Sequence, residues 1–448
     1  MGEIIFKRKI YQKMLKWKED SDGRSALLIK GARRVGKSTI VEEFARNEYE
    51  SYILIDFSIV PKEVNDLFNH ISDLDFFFLR LQMLYDIDLH QRKSIIIFDE
   101  VQKQPLARQA IKHLVKDGRY DYIETGSLLS IKKNIRDIVI PSEETRMSMF
   151  PMDYEEFRWA LGGTITNLKM AFEQMKSLGD DVNRRLMRDF RLYMLVGGMP
   201  QVVSEYISTN NFRKVDVIKR EILELYEDDF RRIDSTGRAS LLFRGIPAAL
   251  SKNSSRYQVS GVLANGRLSR VEATIADMID SMTVNISYHA DDPRIGMSLS
   301  KNPDFFKLYM ADTGLFITQI FMDKSFTDNI IYEKLLSNKL PANLGYVYEN
   351  MVAQMLKAAG HELFYYTIPN QSTKRNYEID FLLSKRDKIC PVEVKSSGYS
   401  THKSLDVFCE KYSARILDKY LIYTKDLRKT EDILMLPIYM VPFLMERT

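Results

Sequence analysis

Cysteine is nearly absent from this 448-residue chain, which has only Cys390 and Cys409. Two thiols cannot build a disulfide framework or a four-cysteine zinc centre. A reducing compartment, the cytoplasm, is the expected location. Histidine is scarce as well. His70, His90, His113, His289, His361 and His402 have no neighbours at ligand spacing, which argues against a histidine metal centre. Long apolar runs are missing: Leu434–Met445 reaches about half a membrane span and contains Pro437 and Pro442. The start, Met1-Gly2-Glu3-Ile4-Ile5-Phe6, lacks the apolar core of a signal peptide. It also lacks the Ser or Thr at position 6 of a myristoylation motif. No membrane partner is expected. A large charge excess is missing too. The 65 Lys and Arg against 61 Asp and Glu leave a net +4, so bulk charge makes no case for nucleic acid. What remains is ordinary globular composition, 45% hydrophobic and 28% charged, which excludes disordered and low-complexity classes. At ~100–200 residues per domain, the length fits two to four domains.

Strand and helix signals alternate through the first third. The runs Ala26–Ile29, Tyr52–Phe57, Ser94–Phe98, Asp121–Glu124 and Met147–Met152 read as strands. Amphipathic stretches such as Thr39–Asn47 and Ala107–Lys116 lie between them. This predicts a parallel sheet covered by helices. Residues 153–235 read as helical, punctuated by Gly162-Gly163 and Gly197-Gly198-Met199-Pro200. The charged stretch Asn211–Arg232 is expected to bridge out of the first domain. Between 236 and 330 come helices, then strand-like Val284–Tyr288 and Phe305–Met310. Ser269 with Glu272 forms a capping box there, and Val271, Ile275, Met278, Ile279 and Met282 share a helical face. Both a winged helix and a small helical connector fit this outline. A strong helix at Leu344–Ala359, then strands, then a helix near Lys403–Tyr412 complete the chain. The expected fold is α/β in three domains, 1–205, 206–330 and 331–448.

Gly31-Ala32-Arg33-Arg34-Val35-Gly36-Lys37-Ser38 matches GxxxxGK[ST] between a strand and a helix. Glycines let main-chain N–H groups curl around phosphate oxygens. The helix N-terminus adds partial positive charge. Lys37 reaches the β- and γ-phosphates, and Ser38 offers an oxygen to Mg²⁺. Gly31, Arg34, Gly36, Lys37, Ser38, Thr39 and Asp99 are the expected ATP-binding residues. Ser94-Ile95-Ile96-Ile97-Phe98-Asp99-Glu100 reads as a buried central strand with two carboxylates at its C-terminal end, where ligands bind in such sheets. Asp99 is suited to Mg²⁺ and Glu100 to polarising a water, which argues for hydrolysis. Thr125, in Thr125-Gly126-Ser127, is placed to contact the γ-phosphate. Arg33, Arg34 and Arg146 are candidates to offset phosphate charge, and solvated surface arginines are an equal reading. The expected catalytic set is Lys37, Glu100 and Thr125.

Near the C-terminus, Tyr377–Leu383 places Ile379, Phe381 and Leu383 on one face and Glu378 and Asp380 on the other. Ile389–Lys395 does the same with Val392 and Val394 against Glu393 and Lys395. As a hairpin, these strands would bring Asp380, Glu393 and Lys395 to a common face. Two carboxylates with a lysine suit metal-assisted phosphodiester hydrolysis. Glu349, on the preceding helix, could position the metal or the lysine. Pro391 fits a strand start or an edge. From spacing alone, a merely charged outer face remains the plainer reading. Residues 371–448 carry 14 Lys or Arg against 11 Asp or Glu, too little to choose between them.

These segments, with Gly197-Gly198-Met199-Pro200 and Leu308-Tyr309-Met310-Ala311-Asp312-Thr313-Gly314-Leu315, resemble a known group along almost the whole chain. They are similar to prokaryotic AAA-like P-loop ATPases that carry a winged helix and a restriction-endonuclease-like C-terminal domain. The resemblance implies ATP and Mg²⁺ in the first domain and a winged helix at about 236–330. It also implies a PD-(D/E)xK core with Asp380, Glu393 and Lys395 in the motif positions and Glu349 on the preceding helix. Ser38 stands where Thr is common, which preserves the Mg²⁺ oxygen. The expected function is a Mg²⁺-dependent ATP hydrolase acting on or with DNA. The alternative is an ATP-switched regulatory protein that binds DNA or a protein partner without cleaving.

Overall fold

The computed structural model describes residues 4–126, 142–252, 254–263, 266–323, 327, 329–337, 345–370, 376–430 and 432–444. The chain divides into two compact units. One is 1–150 with 280–282, and the other is 151–279 with 283–448.

Among the described residues, the first unit holds five strands: β1 Ala26–Gly31, β2 Ser51–Asp56, β3 Ser94–Asp99, β4 Asp121–Gly126 and β5 Glu144–Met149. All pair in parallel, in the order β2-β3-β4-β1-β5. β3 is buried at every position, because helices cover both faces of such a sheet. Its pleat sends Ile95 and Ile97 into one core with Leu27, Ile29 and Phe44. Ile96 and Phe98 enter the other core, with Ile53, Ile55 and Tyr122. Helix Pro105–Asp117 opens on a proline and stops at Gly118, where φ is 76°. The fifth strand starts three residues earlier than its apolar signal, with Glu144, Thr145 and Arg146 paired to Ala26, Leu27 and Leu28. β5 is the edge of the sheet, and an edge tolerates polar residues that obscure the pattern.

The first unit ends at 150 rather than 205. Met152 N–H bonds Gly198 O at 2.7 Å, and Tyr193 Oη bonds Met152 O at 2.8 Å. Gly198 N–H in turn donates to Asp312 Oδ2 at 2.6 Å, 114 positions away. These bonds commit residues 152–198 to the second unit. The charged helix forms as Phe212–Ile233, with the Asn211 side chain capping Arg213 and Lys214 N–H. It is an internal strut of the second unit, not the expected bridge. Its buried Lys219 donates to Leu195 O at 2.9 Å and Tyr332 Oη at 3.0 Å.

Eight strands build the second unit's sheet: β6 Val284–Ala290, β7 Lys301–Met310, β8 Leu363–Ile368, β9 Tyr377–Lys385, β10 Lys388–Val394, β11 Tyr420–Tyr423, β12 Arg428–Lys429 and β13 Leu434–Pro437. Their order is β12-β13-β11-β10-β9-β8-β6-β7. The expected boundary at 330 therefore separates no sheet. The β6–β7 hairpin, expected as a wing, pairs in parallel with β8 and continues the C-terminal strands. Backbone groups of β6 find partners on both sides this way. Pro391 lies in an inner strand, not on an edge; β11 joins β10 only from Val392 onward. Helix Gly345–Ala358 is buried on most of its circumference. Its Asn350 and Gln354 side chains accept from Met310 N–H and Thr313 N–H, each at 2.8 Å. Leu344, the expected start, lies outside the described residues, as does Ser127. No helix among the described residues is long and apolar enough to cross a membrane.

A buried ion triad tests the first unit. Arg108 Nη1 lies 2.6 Å from Glu124 Oε2, and Nη2 lies 2.5 Å from Glu144 Oε2, with all three side chains at most 2% exposed. Burial raises the Glu124 pKa, and Arg108 opposes it. A carboxyl whose folded pKa lies above its unfolded one binds extra protons when folded. Its contribution is full at low pH and is lost as pH rises. Arg108→Met removes the cation and should cost about 3–5 kcal/mol at pH 8, and less at pH 5.5. Denaturant titrations of the full chain at both pH values measure this. A deficit that is equal at the two would contradict the account.

Candidate functional site

β1 delivers the chain to Gly31, and helix Lys37–Glu48 takes over after Gly36. The loop between them needs unusual backbone. Gly36 has φ 94°, and Arg34 sits at φ 66°. A Cβ on Gly31 would lie 2.5 Å from Met149 O, so the close approach of β5 requires glycine there. Lys37 is buried, and its Nζ donates to Gly31 O and Ala32 O at 3.0 Å each. It lies back across the loop whose amides it would assist.

The neighbouring strand ends complete the site. Ser38 Oγ donates to Asp99 Oδ1 at 3.0 Å, and the fully buried Thr125 Oγ1 donates to the same oxygen. Glu100 N–H bonds Thr125 Oγ1 at 3.4 Å. Glu100 itself adopts left-handed backbone, φ 54°. That conformation costs about 1–3 kcal/mol in a non-glycine residue and clusters at functional sites. Gln102 Nε2 donates to Glu100 Oε2 and fixes its carboxylate. Sequence reasoning missed Gln102; its only signal was a polar residue two places after the acidic pair. Arg34 is exposed, and Arg33 and Thr39 are half-buried around the loop. Arg146 is elsewhere. It pairs with Leu28 in mid-strand, and its Nε lies 2.6 Å from Glu144 Oε1, so its charge serves Glu144 and not the loop.

The donor set suits a magnesium triphosphate. Curled amides and an ammonium match phosphate oxygens. Ser38 and Asp99 offer hard oxygens for Mg²⁺, and Glu100 can accept a proton from water.

A second group forms in the other unit. β9 and β10 pair as an antiparallel hairpin through Val392↔Phe381. Asp380 Oδ2 accepts from Val394 N–H at 2.7 Å. Glu393 Oε1 lies 2.8 Å from Lys395 Nζ, while Glu393 Oε2 is buried without a hydrogen-bond partner. Glu349, Glu378 and Asp380 each place one oxygen within 4.8 Å of the others. The lysine that Glu349 holds is Lys307, not Lys395: Lys307 Nζ lies 2.9 Å from Glu349 Oε1 and 2.5 Å from Glu378 Oε1. Tyr309 Oη donates to the same Glu349 oxygen at 2.5 Å. Burial pushes the Asp380 pKa well above the usual carboxylate range, with Glu349 adding to the shift and Lys307 opposing it. Burial works against the Lys307 charge, but Glu349 and Glu378 outweigh it and leave its pKa high. The orphaned Glu393 oxygen fits a divalent ion. Such an ion would have to expel any proton on Asp380, so its affinity rises with pH. Lys307, Tyr309 and Glu378 were missed as site residues. The signal for Lys307 was a single charge inside an apolar strand, Phe305-Phe306-Lys307-Leu308-Tyr309-Met310.

Residues 23–158 match the family model of the AAA domain. Residues 187–325 and 344–441 match two domains of unknown function, DUF8612 and DUF4143. The first unit is thus an AAA-like P-loop domain. No curated protein matches the chain. Solved structures similar to this chain include the following three. PCH-2 of C. elegans is 12% identical, with TM-score 0.21 over 37% of this chain and 46% of that one. A STAND signal-transduction ATPase with a tetratricopeptide-repeat sensor from Pyrococcus horikoshii is 12% identical, with TM-score 0.29 over 80% and 46%. Cdc6p from Pyrobaculum aerophilum is 10% identical, with TM-score 0.25 over 76% and 97%. The chain spans under half the length of the first two. Likeness at this level carries no argument about the chain.

Thr125→Val keeps the shape and removes the hydroxyl that bonds Asp99 and the Glu100 amide. A hydrogen bond to a charged group contributes about 1.5–3 kcal/mol, so Mg²⁺-dependent ATP affinity should fall roughly tenfold or more. Titration with a fluorescent ATP analogue, with Mg²⁺ or with EDTA, reads the effect. An equal loss under both conditions would show that Thr125 does not act through the metal ligand.

Proposed function

We propose that the chain is a cytoplasmic, Mg²⁺-dependent ATPase that acts on or with DNA. The observation carrying the ATPase part is the convergence of Ser38 and Thr125 hydroxyls on one Asp99 oxygen, beside Glu100, at the mouth of the loop. In this reading Lys37 leaves its carbonyl partners for the β- and γ-phosphates, and the loop amides between Arg33 and Ser38 hold the same oxygens. Ser38 and Asp99 hold Mg²⁺, which supplies charge neutralisation as the γ-phosphoryl group departs. Glu100, held by Gln102, orients the attacking water and takes its proton. Thr125 holds Asp99 and faces the γ-phosphate.

For DNA, the supporting feature is the Asp380–Glu393–Lys395 group. Its orphaned Glu393 oxygen suits one divalent ion beside a phosphodiester. A second reading, an ATP-switched protein that binds DNA or a protein partner without cutting, is favoured by one observation. Lys307 already fills part of the carboxylate group.

Purified full chain with Mg²⁺ separates these readings. Lys37→Ala should weaken ATP binding at least tenfold. Glu100→Gln should keep binding and lose roughly 10²-fold or more in turnover, the range of a general base. Full turnover by Lys37→Ala would remove the ATPase assignment. For the nuclease-like part, Lys395→Ala and Glu393→Gln should abolish nicking of supercoiled plasmid. Undiminished nicking by both excludes that site, and no nicking by wild type, with salt-sensitive DNA binding retained, selects the non-cleaving reading.

A further inference from the structure

Lys307 is the one buried cation that reaches the C-terminal carboxylates from outside the β9–β10 hairpin, among the described residues. Its side chain is 5% exposed. β7 presents Lys307 and Tyr309 on one face, and both donate to Glu349 Oε1. The ammonium also binds Glu378 and lies 5.5 Å from the Tyr365 ring centroid. Its strand is fixed by pairing with β6, Ser287↔Lys307. Glu349 is fixed in turn, because Asn350 and Gln354 of the same helix bond the end of β7 and the turn after it. Glu349, Glu378 and Asp380 are close enough to share one cation, and the ammonium already bridges two of them.

We propose that Lys307 is the built-in cation of the Glu349–Glu378–Asp380 group and keeps a divalent ion out of it. The inference rests on the reading of this domain as nuclease-like only for its consequence. Any divalent ion is then confined to Asp380 and Glu393, beside Lys395. A buried ammonium cannot give up both carboxylates without an uncompensated charge. A metal entering between Glu349 and Glu378 would also sit against that ammonium and be repelled. A lysine supplies fixed charge for a phosphate but cannot activate a water as a second metal does. The centre is therefore built for one metal at most.

The test is a Mn²⁺ titration of the full chain by electron paramagnetic resonance, comparing wild type with Lys307→Met. The variant is expected to bind one Mn²⁺ more than wild type. Adding Glu349→Gln should abolish that extra ion, and Lys307→Arg should gain none. A folded Lys307→Met that binds no more than wild type overturns the proposal. If Lys307→Met is unfolded without metal, Mn²⁺ is expected to restore its native melting transition by replacing the lost charge. A chain that stays unfolded in Mn²⁺ equally overturns it. Glu393→Gln in the wild-type background keeps the two ideas apart. If it removes no Mn²⁺, the metal reading of the nuclease-like domain fails, while the Lys307→Met comparison still decides the lysine.

Discussion

A carboxylate taken out of water needs a proton, a cation or a set of hydrogen-bond donors, and this chain buries several. The first unit meets the demand at Glu124 and Glu144 with Arg108. At Asp99 it uses the hydroxyls of Ser38 and Thr125. The second unit places Lys307 between Glu349 and Glu378. Each solution fixes geometry as well as charge, because a buried partner cannot swing to solvent. The two candidate sites differ in what is left over. Asp99 accepts from two neutral hydroxyls, those of Ser38 and Thr125, which leave a carboxylate oxygen to offer a metal. Glu349 and Glu378 already share one ammonium. Glu393 stands between these cases, with one oxygen on Lys395 and the other unpartnered.

The architecture of the second unit meets the same demand. β6 and β7 extend the C-terminal sheet instead of standing apart as a wing. That pairing is what carries Lys307 and Tyr309 to Glu349. Helix Gly345–Ala358 closes the arrangement from its own side through Asn350 and Gln354. Gly197-Gly198 and Asp312 meet on the same principle: a buried aspartate accepts the Gly198 and Leu315 amides.

Around the phosphate loop the structure stores strain. Arg34 and Glu100 both hold left-handed backbone that costs non-glycine residues energy. Thr125 and Gln102 restrain Glu100 through its amide and its carboxylate. The preorganisation is local, and it holds a glutamate that follows a buried strand beside Thr125 and Gln102.

Much of the first site was legible in sequence because its parts are contiguous. A strand, an eight-residue loop and a helix start carry the cradle. A β-branched run ending in Asp99-Glu100 announces itself by hydrophobicity alone. The β9–β10 hairpin was legible for the same reason, since a short polar turn joins two alternating strands. Local pattern could not find Lys307, Tyr309 or Gln102, nor show that residues 151–205 leave the first unit. It also could not foresee that the presumed wing continues another sheet. Those features depend on which strand edges meet and which distant side chains answer a buried charge. Periodicity records burial residue by residue, whereas the partner of a buried charge is chosen only when the whole chain has packed.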